Sequence, residues 1–223
     1  MKKTIIITAG GIGKRMGGDL PKQFLIVNGY PILMHTLAQF HHFDPQAQLL
    51  LTLPEDWKTY WENLCEKYSF NIEHQVISGG IERYHSIKNA LQQANGEYVY
   101  VHDGVRPMVN QHTLNACEEA LHQFQAVIPV IPVKDSLRQI GQQGNIATDR
   151  TAYRLVQTPQ CFHRDVLMQA YQQDFHEGIT DDASLVEAIG VAIHLVSGNE
   201  ENIKITTPFD LQIAELLLKN YNN

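Results

Sequence analysis

The chain has 223 residues, 43% of them hydrophobic and 18% charged, with a formal charge of -7 at pH 7. These values describe a globular protein long enough to bury a substantial core as one α/β domain over 1–223. The acidic balance excludes a broad nucleic-acid or anionic-membrane surface, because such partners select Lys and Arg clustered over a whole face. Any anionic ligand must meet positive charge locally.

In chain order, the first candidate strand is Lys3–Thr8. Met1-Lys2-Lys3 ahead of it resembles a basic signal-peptide start, but the apolar run is shorter than the ~7–15 residues an export signal needs. No stretch is long enough to span a bilayer. The run empties into TAGGIGKRMGGDLPKQF, Thr8 to Phe24, where glycines are interleaved with Lys14, Arg15 and Lys22. A P-loop would need Gly at Thr8 and Ser or Thr at Arg15, and a dinucleotide fingerprint would need Gly at Met16. What remains is a glycine-rich turn whose backbone amides can approach phosphate oxygens while Arg15 and Lys22 supply countercharge. A surface turn with solvated cations is the plainer alternative.

Apolar residues at three- and four-residue spacings then predict helices over Ile32–Phe40, Trp57–Tyr68, Glu82–Gln93 and Thr113–Phe124. β-Branched runs predict strands at Gln48–Leu53, Ile72–Ile77, Tyr98–His102, Ala126–Ile131 and Val191–Val196. The alternation implies a doubly wound, mostly parallel sheet, whose ligands gather at the carboxyl ends of the strands. Ser78-Gly79-Gly80 and Asp103-Gly104-Val105-Arg106-Pro107 leave their strands at that same edge, so three loops should share one cleft. Lys134 to Thr158 breaks the rhythm. Gly141-Gln142-Gln143-Gly144 is a turn signal between Ser136–Ile140 and Asn145–Thr148, which predicts a protruding β-arm, about 134–157, low in apolar residues. Cys65, Cys117 and Cys161 are odd in number and lack metal spacing, which suits reduced thiols in a cytoplasmic protein. The eleven histidines form no HExxH motif or metal-like cluster.

Ala9-Gly10-Gly11-Ile12-Gly13-Lys14-Arg15-Met16, then Pro21-Lys22-Gln23-Phe24, Gly79-Gly80-Ile81-Glu82-Arg83, His102-Asp103-Gly104-Val105-Arg106-Pro107, Thr158-Pro159-Gln160, Thr180-Asp181-Asp182-Ala183-Ser184 and Asn202-Ile203-Lys204-Ile205-Thr206 together resemble the 2-C-methyl-D-erythritol 4-phosphate cytidylyltransferases. The resemblance runs nearly end to end. It implies a Rossmann-like nucleotidyltransferase that joins CTP to methylerythritol phosphate and releases pyrophosphate. The arm is too poor in apolar residues to pack on its own domain, yet it carries Ser136 and Arg150, which the resemblance assigns to the substrate; a homodimer with exchanged arms reconciles the two. The resemblance further implies that Arg15 and Lys22 bind the triphosphate and stabilise the transition state. Ala9, Gly10, Gly11, Gly13, Gly79, Arg83 and Ser86 would line the CTP site, with Asp103 beside the ribose and a Mg²⁺ or other divalent cation held mainly by phosphates. Arg106, Ser136, Arg150, Thr180 and Lys204 would surround the sugar-alcohol phosphate. Ser136 stands where the family often has Thr, and Gly10 where it often has Ala.

Several of these residues have plainer readings. Asp103 can be a turn former, Arg83 a cation at a helix start, Thr180 an N-cap, and Asp149-Arg150 a solvated pair. Ribitol 5-phosphate is the alternative second substrate. A nucleotide-sensing module without turnover is a third reading, disfavoured because it would not need cations on both sides of an α-phosphate. The chemistry is self-consistent without a catalytic dyad. A phosphate monoester is already an anionic nucleophile near neutral pH, so positioning and positive charge must carry the rate.

Overall fold

The computed structural model describes residues 2–11 and 20–221. Strand β1 (Lys3–Thr8) is sandwiched between two helical layers, Ile5 and Ile7 facing one and Ile6 the other. A parallel strand covered on both faces needs apolar side chains at successive positions, which is why it reads as an unbroken run. β1 pairs in parallel with β4 (Gln48–Leu53) and with β6 (Tyr98–Asp103). β4 in turn pairs with β5 (Gln75–Ser78).

Beyond β6 lies the antiparallel β11 (Gln160–His163), which also pairs with β7 (Ala126–Pro132). β7 takes β10 (Arg154–Val156) antiparallel and β12 (His194–Ser197) parallel. The order is β10-β7-β11-β6-β1-β4-β5, with β12 on β7. The chain therefore builds outward from β1 to β5 and then returns to the other flank of β1. The switch point lies between β1 and β6, where such sheets open a ligand crevice.

Helices α1 (Ile32–Phe43), α2 (Lys58–Lys67) and α4 (Gln111–Leu121) cover one face through Leu37, Phe40, Trp61, Leu64, Leu114 and Leu121. α3 (Arg83–Leu91), α5 (Arg164–Ala170) and α6 (Asp182–Ala188) cover the other through Ile87, Leu91, Leu167 and Val186. The last helix, α7 (Pro208–Tyr221), packs with the β2 (Ile26–Val27) and β3 (Tyr30–Pro31) ribbon region around Val27, Val105 and Ile205.

Two expected strands begin late. Ile72 is held by His74, whose Nδ1 donates to its carbonyl at 2.7 Å while Trp61 Nε1 donates to His74 Nε2 at 2.9 Å. These bonds tie the segment to α2, and β5 starts only at Gln75. Val191 still closes α6 through its N–H to Val186 O, so β12 starts at His194. The arm is a hairpin of β8 (Leu137–Gly141) and β9 (Gly144–Thr148), which forms a two-stranded sheet of its own. It leaves Ile140 78% and Ile146 64% exposed.

Candidate active site

The loops after β1, β5 and β6 meet around a cleft of about 440 Å³. Thr8, Ala9, Gly10, Gly11 and Lys22 line it from the first loop, Gly80, Arg83 and Ser86 from the second, Asp103 and Val105 from the third, and Lys204 from a later segment. Extra backbone bonds past the strand ends lock the loops together, with Ala9 N donating to Thr52 O at 3.1 Å and Gly104 N to Thr8 O at 2.8 Å. The approach at Gly104 is close: a Cβ there would stand 3.1 Å from Thr8 O and 3.2 Å from Ala9 Cβ, so the neighbours would have to give by a few tenths of an ångström. Gly13 and Arg15 lie outside the described residues.

Lys22 opens a short 3-10 turn whose next two residues are anchored. Gln23 Nε2 donates to Ala9 O at 2.7 Å, and Phe24 is buried against Trp57, Tyr60 and Trp61. The amine is therefore presented from a fixed base beside the glycine loop. Sequence reasoning missed Gln23, whose role is visible only once the loop folds back on β1. The second loop is braced by Ser86 Oγ, which accepts from Gly80 N at 2.9 Å and donates to Glu82 O at 3.2 Å. A Cβ on Gly80 would fall 2.3 Å from His85 Cβ, so the close turn requires glycine. Gly79, expected at the cleft, donates its N–H to Leu53 O at 2.7 Å, and the adjacent Gly80 lines the cleft.

Asp103 sits among three cations: Lys204 Nζ at 3.0 Å, Arg106 Nε at 3.2 Å and Arg83 Nε at 3.8 Å. Burial alone would raise its carboxyl pKa, but the charges of Arg83, Lys204 and Arg106 outweigh that and hold it well below the usual range. A neutral hydrogen-bond chain fixes its backbone. Asp103 N donates to Thr158 Oγ1 at 3.2 Å, Thr158 Oγ1 faces His102 Nδ1 at 3.0 Å, and His102 Nε2 faces Arg106 O at 3.0 Å. Nε2 serves that carbonyl by donating, and a ring that burial keeps neutral near pH 7 leaves Nδ1 to accept from Thr158 Oγ1. Burial pushes the His102 pKa down to about 4. Arg106 clamps this corner, its Nη1 donating to Asn202 O at 2.7 Å while Asn202 Nδ2 donates to Thr158 O at 2.8 Å.

An adjoining cavity of about 330 Å³ is lined by Glu82, Arg83, Tyr171, Thr180 and Asp181 among others. Thr180 faces it, but the N-cap of α6 is Asp181, not Thr180 as expected. Asp181 Oδ1 accepts from Ser184 N at 2.9 Å, and Asp181 N reaches Ser184 Oγ at 3.4 Å, a reciprocal capping box. Gln160 pins this end by donating to Asp181 Oδ2 at 2.7 Å and accepting from Ala183 N at 2.9 Å. Ser136 and Arg150 are exposed on the arm and do not line either cavity; Arg150 Nη1 donates to Lys134 O.

Among the described residues no three His, Cys, Asp or Glu side chains form a metal-holding group. Asp103 is a single carboxylate, which fits a Mg²⁺ carried mainly by substrate phosphates and does not fit an all-protein cage.

Fold and site together define an α/β protein with a cation-lined cleft at the switch point of its sheet, the arrangement of a nucleotidyltransferase. The chain belongs to the 2-C-methyl-D-erythritol 4-phosphate cytidylyltransferase family, whose model matches residues 3–220. It is 53% identical over 220 residues to the Bacteroides thetaiotaomicron 2-C-methyl-D-erythritol 4-phosphate cytidylyltransferase, covering 98% of this chain and 100% of that protein. To the Phocaeicola vulgatus enzyme of the same name it is 50% identical over 219 residues, covering 98% and 100%. Its structure is similar to the crystal structure of the Thermus thermophilus 2-C-methyl-D-erythritol 4-phosphate cytidylyltransferase, with a TM-score of 0.80 at 32% identity, covering 98% of this chain and 100% of that one. The chain is thus a CTP-dependent nucleotidyltransferase, and methylerythritol phosphate, not ribitol 5-phosphate, is the second substrate of its family.

Proposed function

We propose that the described cleft carries out the family's reaction with Lys22 and Lys204 as its reactive-centre cations and Arg83 as an anion receiver. A phosphate oxygen of methylerythritol phosphate attacks the α-phosphorus of CTP, the α–β bridging bond breaks, and pyrophosphate leaves with the electron pair. The observation that carries this reading is the convergence of Lys22, Arg83, Asp103 and Lys204 on one switch-point cleft. Two polyanions must meet there, and preorganised positive charge is the property that lowers such a barrier.

Gly10, Gly11 and the glycine-bounded turn at Gly80 let phosphate and base approach the backbone closely, and Ser86 keeps that turn in shape. Asp103, ionised at every physiological pH, orients Lys204 and Arg106. A divalent cation, bound with CTP, would neutralise phosphate charge, with Asp103 as its one protein carboxylate.

Ser136 and Arg150 act in this reading from a second copy of the chain. The arm exposes Ile140 and Ile146 without covering them, which favours a partner that does. The whole chain then works as one catalytic unit with a dimerisation arm, in the cytoplasm, where Cys65, Cys117 and Cys161 remain free thiols. Among the described residues no helix is long and apolar enough to cross a membrane. Pyrophosphate release from CTP and Mg²⁺ tests the reading. Turnover with methylerythritol phosphate and preference for CTP over ATP and GTP are expected; turnover with ribitol 5-phosphate alone would contradict it.

A further inference from the structure

Asp182 is a carboxylate with 0% side-chain exposure on the first turn of α6. Its Oδ2 accepts from Arg83 Nη2 at 2.7 Å, and its Oδ1 accepts from Tyr171 OH at 2.5 Å. Tyr171 is itself immobilised, stacked on Tyr84 with ring centroids 4.9 Å apart. A buried ion pair of this kind is a poor route to stability, because apolar side chains of equal volume usually do as well. Its value lies in what it holds in place.

Arg83 is what it holds. The side chain is 34% exposed, lines both cavities, and among the described residues its guanidinium commits one hydrogen bond, the one to Asp182. Its Nε stands 3.8 Å from Asp103, too far for a hydrogen bond. Released from Asp182, the long side chain would close on that carboxylate and compete with Lys204 and Arg106 for it. Held by Asp182, it keeps its remaining donors turned toward the cleft.

We infer that Asp182 and Tyr171 are positioning residues that hold Arg83 poised for the anionic part of the nucleotide. This inference rests on the proposed reading of the cleft as the nucleotide site. The pair also joins that site to the segment carrying Thr180 and Asp181.

The test is a double-mutant cycle on CTP binding, measured by calorimetry without the second substrate, with thermal unfolding as a fold check. Asp182→Asn keeps the volume and removes the charge, Arg83→Met removes the guanidinium, and the third protein carries both. Tyr171→Phe, which loses one hydroxyl, guards against a variant that fails to fold. Asp182→Asn should weaken CTP binding about tenfold, on the scale of a charge-assisted hydrogen bond misdirected. It should do nothing further in the Arg83→Met background, because the effect passes through Arg83. Asp182→Glu should restore part of the affinity, and Tyr171→Phe should weaken binding by a smaller factor. Equal losses from Asp182→Asn in both backgrounds, or unchanged affinity in folded Asp182→Asn and Tyr171→Phe proteins, would overturn the inference. Failure of the wild-type protein to bind CTP at all would instead overturn the underlying reading.

Discussion

Lys22, on the short turn after the glycine loop, and His102, near the end of β6, divide the labour between rate and shape. In the proposed reading Lys22 faces the charge that builds in the transition state, so Lys22→Ala should lower kcat by about 10²–10³, the scale of a lost preorganised stabiliser. Unfolding should be unchanged, and a rise in KM with normal kcat would show ground-state binding only. His102 acts through position. Its pKa is lowered to about 4 by burial, so between pH ~6.5 and ~4 the unfolded chain binds a proton that the folded chain refuses. Stability therefore falls as pH falls through that window. His35 and His74, also lowered by burial, add slope of the same sign. Asp103 is shifted below its ordinary value, so its contribution is intact above the carboxylate range and lost only in stronger acid. Chemical denaturation at pH 7 and pH 5 should show a shallower pH dependence in His102→Gln, by up to one proton; an unchanged slope would mean that His102 titrates normally in the fold.

At the scale of elements, the start of α6 is the joint between the two cavities. Asp181→Ala removes an N-cap and the acceptor of Gln160, and should cost about 1 kcal/mol in urea unfolding. The same variant should raise KM for the sugar-alcohol phosphate more than KM for CTP, since Thr180 precedes the cap. The sequence is unequally transparent here. β1, β4, β6 and β7 were legible because strands buried on both faces need apolar runs. β11 was not, since four residues between Pro159 and α5 carry no periodicity. Asp182 was hidden for a different reason. An acid in a helix's first turn is accounted for locally by the helix dipole, and nothing near it in the chain points to an arginine 99 residues away. Glycine loops and their cations were readable because each combines a backbone need with a charge. The packing that aims those cations, from Gln23, Thr158 and Asn202, arises only from tertiary contact.

For the whole molecule, the central claim is that one chain contains only part of its site. Lys22, Arg83, Asp103 and Lys204 meet in the cleft, whereas Ser136 and Arg150 stand away from it on an arm with exposed isoleucines. A two-fold dimer that exchanges arms would complete both sites. The most direct measurement unfolds and refolds Lys22→Ala and Arg150→Ala subunits together and follows pyrophosphate release. In a mixed dimer one site would carry both lesions and the other neither. Random pairing makes about half the dimers mixed, so activity should recover to roughly a quarter of wild type. A refolded mixture no more active than the two variants refolded separately would contradict the claim and place Arg150 in the service of its own chain.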